Sequence, residues 1–63
     1  MSDYGRNIKE GDRVMLSPHL DWFVMGARYG EVVEIVVGGK AKVQLDKVKS
    51  PKMFQLEDLK VVR

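Results

Sequence analysis

The fold is decided by one stretch of the chain, EVVEIVVGGKAKVQLDK, which occupies residues 31–47. Its first half, residues 31–37, is dense in valine and isoleucine, which suit the half-buried surface of a strand. Its second half, residues 40–47, alternates strictly between apolar and polar residues, the period of a strand with one buried face. Two adjacent glycines separate the halves, so the stretch predicts a β-hairpin.

The register of this hairpin follows from matching the apolar faces of its two strands. A two-residue loop at Gly38 and Gly39 pairs polar with apolar residues on both faces, and a slip of one residue exchanges the faces. A three-residue loop over 38–40, with a bulge, pairs apolar with apolar residues. It predicts the pairs Val37–Ala41, Ile35–Val43 and Val33–Leu45, and it leaves facing outward Val32, Glu34, Val36, Lys42, Gln44 and Asp46.

Three further strands are predicted outside the hairpin, over residues 13–16, 52–55 and 60–62. The first of these follows a Gly-Asp turn signal and ends at Pro18, which cannot donate a hydrogen bond to a sheet. With the hairpin they make about five short antiparallel strands. The fold class is therefore all-β, a single small barrel.

The connections complete this layout. A long structured loop is predicted from Pro18 to Gly30, and a single 3₁₀ turn over residues 56–59, because that span is too short for a helix. Residues 1–8 form a polar, flexible lead and residues 9–63 the barrel. The predicted core comprises Val14, Leu16, Val33, Ile35, Val37, Ala41, Val43, Leu45, Phe54, Leu56, Leu59 and Val61.

Length and composition exclude several classes of function. A chain of 63 residues makes one domain, whose core is too small to enclose the several hundred Å³ of a typical small-molecule active site. No cysteine and only one histidine are present, which argues against disulfides, thiolate nucleophiles and multi-histidine metal sites. No apolar run is long enough for a bilayer or a signal peptide. We expect a cytoplasmic protein without catalytic residues, metal or cofactor.

Four segments carry a resemblance to small SH3-like barrels: GDRV (11–14), YGEVVEI (29–35), VQLD (43–46) and FQLEDL (54–59). The first two are similar to the KOW motif of ribosomal and transcription-elongation proteins. The last two resemble agenet- and Tudor-type chromatin modules and an accessory subunit of photosystem I. The resemblance covers residues 11–62, and it implies an SH3-like barrel that acts by binding.

The positive charge is concentrated in one part of the chain. The net charge is only +2, but residues 40–52 hold five lysines and a single acidic residue, Asp46. Lysines that alternate outward on a strand can bind phosphates without reading sequence. They also protect an edge strand from aggregation, which is the simpler interpretation. The predicted nucleic-acid-binding residues are Arg28, Lys40, Lys42, Lys47, Lys49 and Lys52.

The first loop holds most of the aromatic residues. Trp22, Phe23, Tyr29 and His19 are predicted to bind a partner, because aromatic side chains beside an arginine can stack on bases or grip a protein side chain. The alternative is that Trp22 or Phe23 closes one end of the barrel as part of the core. Both interpretations stay open at the level of sequence.

The predicted function is therefore that of a non-enzymatic binding module. Its expected partner is DNA or RNA, bound with weak sequence preference. The alternative is a protein-docking accessory subunit of a larger assembly. A more remote alternative is an enzyme with a shared pore, because plasmid-type dihydrofolate reductase has a similar barrel and here residues 54–57 lie where that enzyme has its V-Q-I-Y strand.

Overall fold

The structure, a computed structural model, describes residues 3–62. Residues 1 and 2 of the predicted lead and residue 63 of the predicted barrel lie outside the described residues. In chain order the elements are β1 (Arg13–Leu16), α1 (Asp21–Val24), β2 (Tyr29–Val36), β3 (Lys40–Leu45), β4 (Lys52–Gln55), a 3₁₀ turn (Leu56–Asp58) and β5 (Leu59–Val61).

The five strands form one antiparallel sheet in the order β4-β3-β2-β1-β5. The sheet is strongly curled. A single flat sheet is about 10 Å thick, yet the smallest extent of the molecule is 22 Å and the largest is 26 Å. All five strands contribute to one core, so the curled sheet wraps around it. The predicted all-β class, with five antiparallel strands and a 3₁₀ turn before the last, is confirmed.

Strand β3 supplies more buried core residues than any other strand, and its alternation is observed as predicted. Ala41, Val43 and Leu45 are at most 1% exposed, and the residues between them face outward. The other strands supply Val14, Leu16, Val32, Phe54 and Leu59, and Ala27 enters from the first loop. Partly buried side chains packed against this core are Ile8, Leu20, Trp22, Phe23, Val48, Leu56 and Val61.

The predicted register of the hairpin is wrong, because the loop and the bulge lie at other residues than expected. The loop comprises residues 37–39, not 38–40, and Val36 pairs with Lys40. Gly38 and Gly39 have φ angles of +100° and +80°, a left-handed conformation that favours glycine. With both glycines inside the loop, Lys40 is free to start β3.

A bulge at Val33 restores the match between the apolar faces. Val32 pairs with Val43, but the next pair is Glu34 with Lys42, so Val33 is the extra residue. Val32 is consequently buried at 1% exposure, although it was predicted to face outward. Val33 is 48% exposed, and Val37, in the loop, is 98% exposed.

The predicted core changes accordingly. Val33, Ile35 and Val37 do not belong to the core. Ile35 is 36% exposed, even though it pairs with the buried Ala41. Leu56 and Val61 are half-buried at its margin. Val32 and Ala27 belong to the core instead. The bulge turns Val32 inward, and Ala27 lies at the end of the first loop, where it packs into the core.

The first loop is more ordered than a plain connection. Residues 21–24 form one helical turn, closed by hydrogen bonds from Met25 N to Asp21 O and from Ala27 N to Trp22 O. At the other end of the chain, Gly5 N donates to Leu59 O at 2.7 Å and Ile8 packs against the core. Flexibility of the lead stays a prediction. Within residues 3–62, no helix has the length and apolar character needed to cross a membrane.

Candidate nucleic-acid interface

The five predicted lysines all lie on the unit formed by β3, β4 and their connection, which we call the basic hairpin (residues 40–55). Lys40 and Lys42 project from the outer face of β3, opposite Gln55 and Met53 of β4. Lys47 and Lys49 are exposed in the connection, and Lys52 begins β4. One supersecondary unit therefore carries every lysine of the predicted site, but Lys52 shares a face of β4 with the buried Phe54, whereas Lys40 and Lys42 lie on the outer face.

The acidic residue of residues 40–52 is neutralised from outside the hairpin. Arg13 of β1 makes two contacts with the Asp46 carboxylate, Nη2–Oδ2 at 2.5 Å and Nη1–Oδ1 at 3.3 Å. This hydrogen-bonded pair lowers the pKa of Asp46 below its ordinary value and raises the pKa of Arg13. Asp46 therefore stays charged but is occupied by Arg13.

The lysines themselves are left almost unpaired. Throughout the described chain, only Glu34 brings a carboxylate within 4 Å of one of the five ammonium groups, 3.9 Å from Lys42 Nζ. An exposed pair at that distance is weak. The hairpin therefore presents a nearly uncompensated positive charge.

Trp22 lies beside this charge. It is half-buried on α1 and packs against the core, and the Lys52 ammonium lies 5.9 Å from the centre of its ring. A groove of about 430 Å³ between α1 and β4 is lined by Trp22 together with Lys40 and Gln55. Trp22 therefore packs against the core and also lines the groove, and its role in binding a partner stays a prediction.

Arg28 and Phe23 pair with each other within the first loop. The guanidinium carbon of Arg28 lies 4.5 Å from the centre of the Phe23 ring, and its Nε donates to Phe23 O at 3.4 Å. Phe23 is half-buried against the core, and Arg28 is exposed. Lys47 Nζ lies 3.7 Å from the position that a Cβ on Gly26 would occupy, so the first loop and the basic hairpin are neighbours.

Tyr29 belongs to a different surface. It lies on the outer face of β2 opposite Met15, with Arg13 5.6 Å from the centre of its ring. There it lines a separate groove of about 560 Å³ with Lys60 and Arg6. The structure does not bring Tyr29 and Trp22 into one groove, and Phe23 and His19 line neither of the two.

His19 links the first loop to the 3₁₀ turn. Its Nε2 lies 3.3 Å from Asp58 Oδ1, and its Nδ1 lies 2.6 Å from the Ser17 hydroxyl. With the ring proton on Nε2, His19 donates to Asp58 and accepts from Ser17. Serine hydrolases use the opposite nitrogens for these two partners. We interpret these two contacts of His19 as structural, because they hold the first loop beside the 3₁₀ turn.

Several of these partners could not be found from sequence. Arg13 and Asp46 are 33 residues apart, and the alternation of each strand shows only that both side chains face outward. His19 and Asp58 are 39 residues apart, and no pattern in the sequence links them. Throughout the described part of the chain, no group of three potential ligands is arranged to hold a metal ion.

No match to this chain was found among protein-family models, curated proteins or solved structures.

Proposed function

We propose that this protein is a nucleic-acid-binding module of SH3-like barrel type, which contacts phosphates with the basic hairpin and bases with Trp22. The observation that supports it best is the charge state of the hairpin. Five lysines project from it, and its one acidic residue between positions 40 and 52 is occupied by Arg13. Such an arrangement attracts a polyanion without specifying its sequence.

The placement of Trp22 adds a second mode of contact. Stacking of a base on an aromatic ring contributes about 1–3 kcal/mol and tolerates any base. Lys40 lines the groove beside the ring, and Lys52 approaches the ring itself. A strand whose phosphates follow the lysines can therefore place a base at Trp22. The proposal includes a cytoplasmic location, where such partners are present.

The test is a salt titration of binding to labelled single- and double-stranded oligonucleotides of about twelve nucleotides, followed by fluorescence anisotropy. Five phosphate contacts predict a slope of log K against log salt of about −3.5 for a single strand and about −4.5 for a duplex. Lys42→Glu with Lys49→Glu should weaken binding and reduce the slope by at least about 1.4 for a single strand.

A control variant separates position from net charge. Lys9→Glu with Lys60→Glu changes the net charge equally, but both residues lie outside the basic hairpin. This variant should retain most of the affinity. Equal losses in the two double variants, or no binding of any oligonucleotide at low salt, contradict the proposed function.

Protein docking remains a second candidate, because apolar side chains flank the lysines on the outer face. Val33 and Met53 are each about half exposed, and Val37 is almost fully exposed. An accessory subunit could use this face, together with the edge of β4 that no other strand within residues 3–62 covers. This candidate is favoured if oligonucleotides fail to bind at low salt while the chain remains folded.

A further inference from the structure

The groove between α1 and β4, which we call the Trp22 groove, differs in charge from the hairpin beside it. Two acidic residues, Asp21 and Asp58, line it together with Lys40. Asp58 contacts His19 through Oδ1, which leaves Oδ2 as an acceptor. Phosphate is repelled by a pair of carboxylates, whereas an amino group can donate hydrogen bonds to them.

The edge of β4 supplies further hydrogen-bonding groups. Leu56 N donates to Gly39 O, and this bond fixes the alternation along β4. Lys52 and Phe54 exchange their backbone hydrogen bonds with β3, so the N–H and C=O of Met53 point to the opposite edge. Throughout residues 3–62 no other strand pairs with that edge, and Met53 lines the Trp22 groove.

These features describe a place for one flat, neutral group that carries hydrogen-bond donors. Trp22 offers a ring for stacking, the carboxylates accept hydrogen bonds, and the backbone of Met53 can both donate and accept. A base fits this description, but only when it is unstacked and unpaired, as in a single strand. The phosphates on either side of it remain outside the groove, within reach of Lys40 in the groove lining and of the other lysines of the basic hairpin.

We propose that the Trp22 groove binds a single unpaired base and prefers bases with an exocyclic amino group, such as cytosine, over uracil and thymine. This inference rests on the proposed nucleic-acid binding. Cytosine presents an N4 amino donor where uracil and thymine present an O4 acceptor. The carboxylates satisfy the first and repel the second.

The experiment compares oligo(dC) with oligo(dU) of the same length at one salt concentration and neutral pH. The two probes differ in base chemistry but share ring size and backbone charge. We expect oligo(dC) to bind about tenfold more tightly, the effect of one charge-assisted hydrogen bond. Single strands should also bind more tightly than a duplex of the same length.

Two sets of variants assign the preference to the groove. Asp21→Asn with Asp58→Asn should remove most of the difference between the probes, because an amide can also donate to the O4 of uracil. Glu57→Gln, which removes one carboxylate charge at the exposed neighbour of Asp58 and so matches Asp58→Asn alone, should preserve it. Trp22→Phe should weaken both probes while retaining the salt slope, and near-ultraviolet circular dichroism checks that this variant is folded.

The possible failures are distinguishable. Equal affinity for oligo(dC) and oligo(dU), or a preference that survives both aspartate changes, overturns the inference while the proposed function stands. Binding of neither probe at low salt contradicts the proposed function itself. A preference that is lost equally in Glu57→Gln also overturns the inference, because a carboxylate that does not line the groove then matters as much as the two that do.

Discussion

The bulge at Val33 makes two adjacent valines unequal, and their replacement by alanine tests the register directly. Val32 is 1% exposed and pairs with Val43 inside the core, whereas Val33 is 48% exposed on the outer face. The chemical change is identical and the positions are neighbours. Any difference in stability therefore reports which side chain is buried.

The expected magnitudes follow from burial. Val32→Ala removes two buried carbon atoms at about 0.8 kcal/mol each and leaves a cavity, which brings the loss to about 2–3 kcal/mol. Val33→Ala removes atoms that are half in water and leaves no enclosed space, so its loss should stay below about 1 kcal/mol. A domain of this length unfolds with a free energy of about 3–9 kcal/mol, so the first variant is close to the limit of folding.

Thermal and urea unfolding, followed by circular dichroism and by the fluorescence of Trp22, measure both losses. For a domain of this size, 1 kcal/mol lowers the melting temperature by about 4–8 °C. We expect a decrease of about 10–20 °C for Val32→Ala and a much smaller decrease for Val33→Ala. Equal decreases, or a larger decrease for Val33→Ala, refute the bulge and restore the register in which Val33 faces the core.

Two further changes test close packing and charge. Gly30→Ala should destabilise the fold by about 2–3 kcal/mol, because the added Cβ would lie 2.7 Å from Gln44 O. Gly38→Ala should destabilise it by only about 1 kcal/mol, because the new Cβ meets open space and the φ of +100° is the only source of strain. Urea unfolding measures both losses, and a larger loss for Gly38→Ala contradicts the close packing at Gly30. Asp46→Asn should lower the melting temperature at neutral pH, since a lowered pKa stabilises the fold above the ordinary value of 3.8. That stabilisation is lost as the pH falls through the lowered pKa in the folded state, so wild type and variant should converge in strong acid, and a constant gap contradicts the Asp46–Arg13 pair.

Local pattern was sufficient to predict five strands, although β2 begins two residues and β5 one residue earlier than predicted. The bounds of β1 and β4 agree with prediction at every residue, and the inward face of β3 is as the alternation of Ala41, Val43 and Leu45 requires. The 3₁₀ turn before β5 was also predicted correctly. These features depend on neighbours in sequence, where turn residues and a period of two are directly visible.

The register of β2 could not be predicted, because the apolar residues of this strand do not alternate. Apolar residues occupy both odd and even positions from Val32 to Val37, so either face can be assigned to the core. The two glycines show that a loop is present but not which residue begins it. Packing against β3 and β1 selects the solution with an inserted residue, and a local pattern does not contain that information.

Sequence alone determined the number and kind of strands and the concentration of lysine between positions 40 and 52. Only the tertiary structure decided which groups meet. It brought Arg13 to Asp46, Lys52 to Trp22 and His19 to Asp58, and it moved Tyr29 to another groove. Alternation determines whether a side chain faces in or out, whereas its partners depend on how the sheet curls and which strands become neighbours.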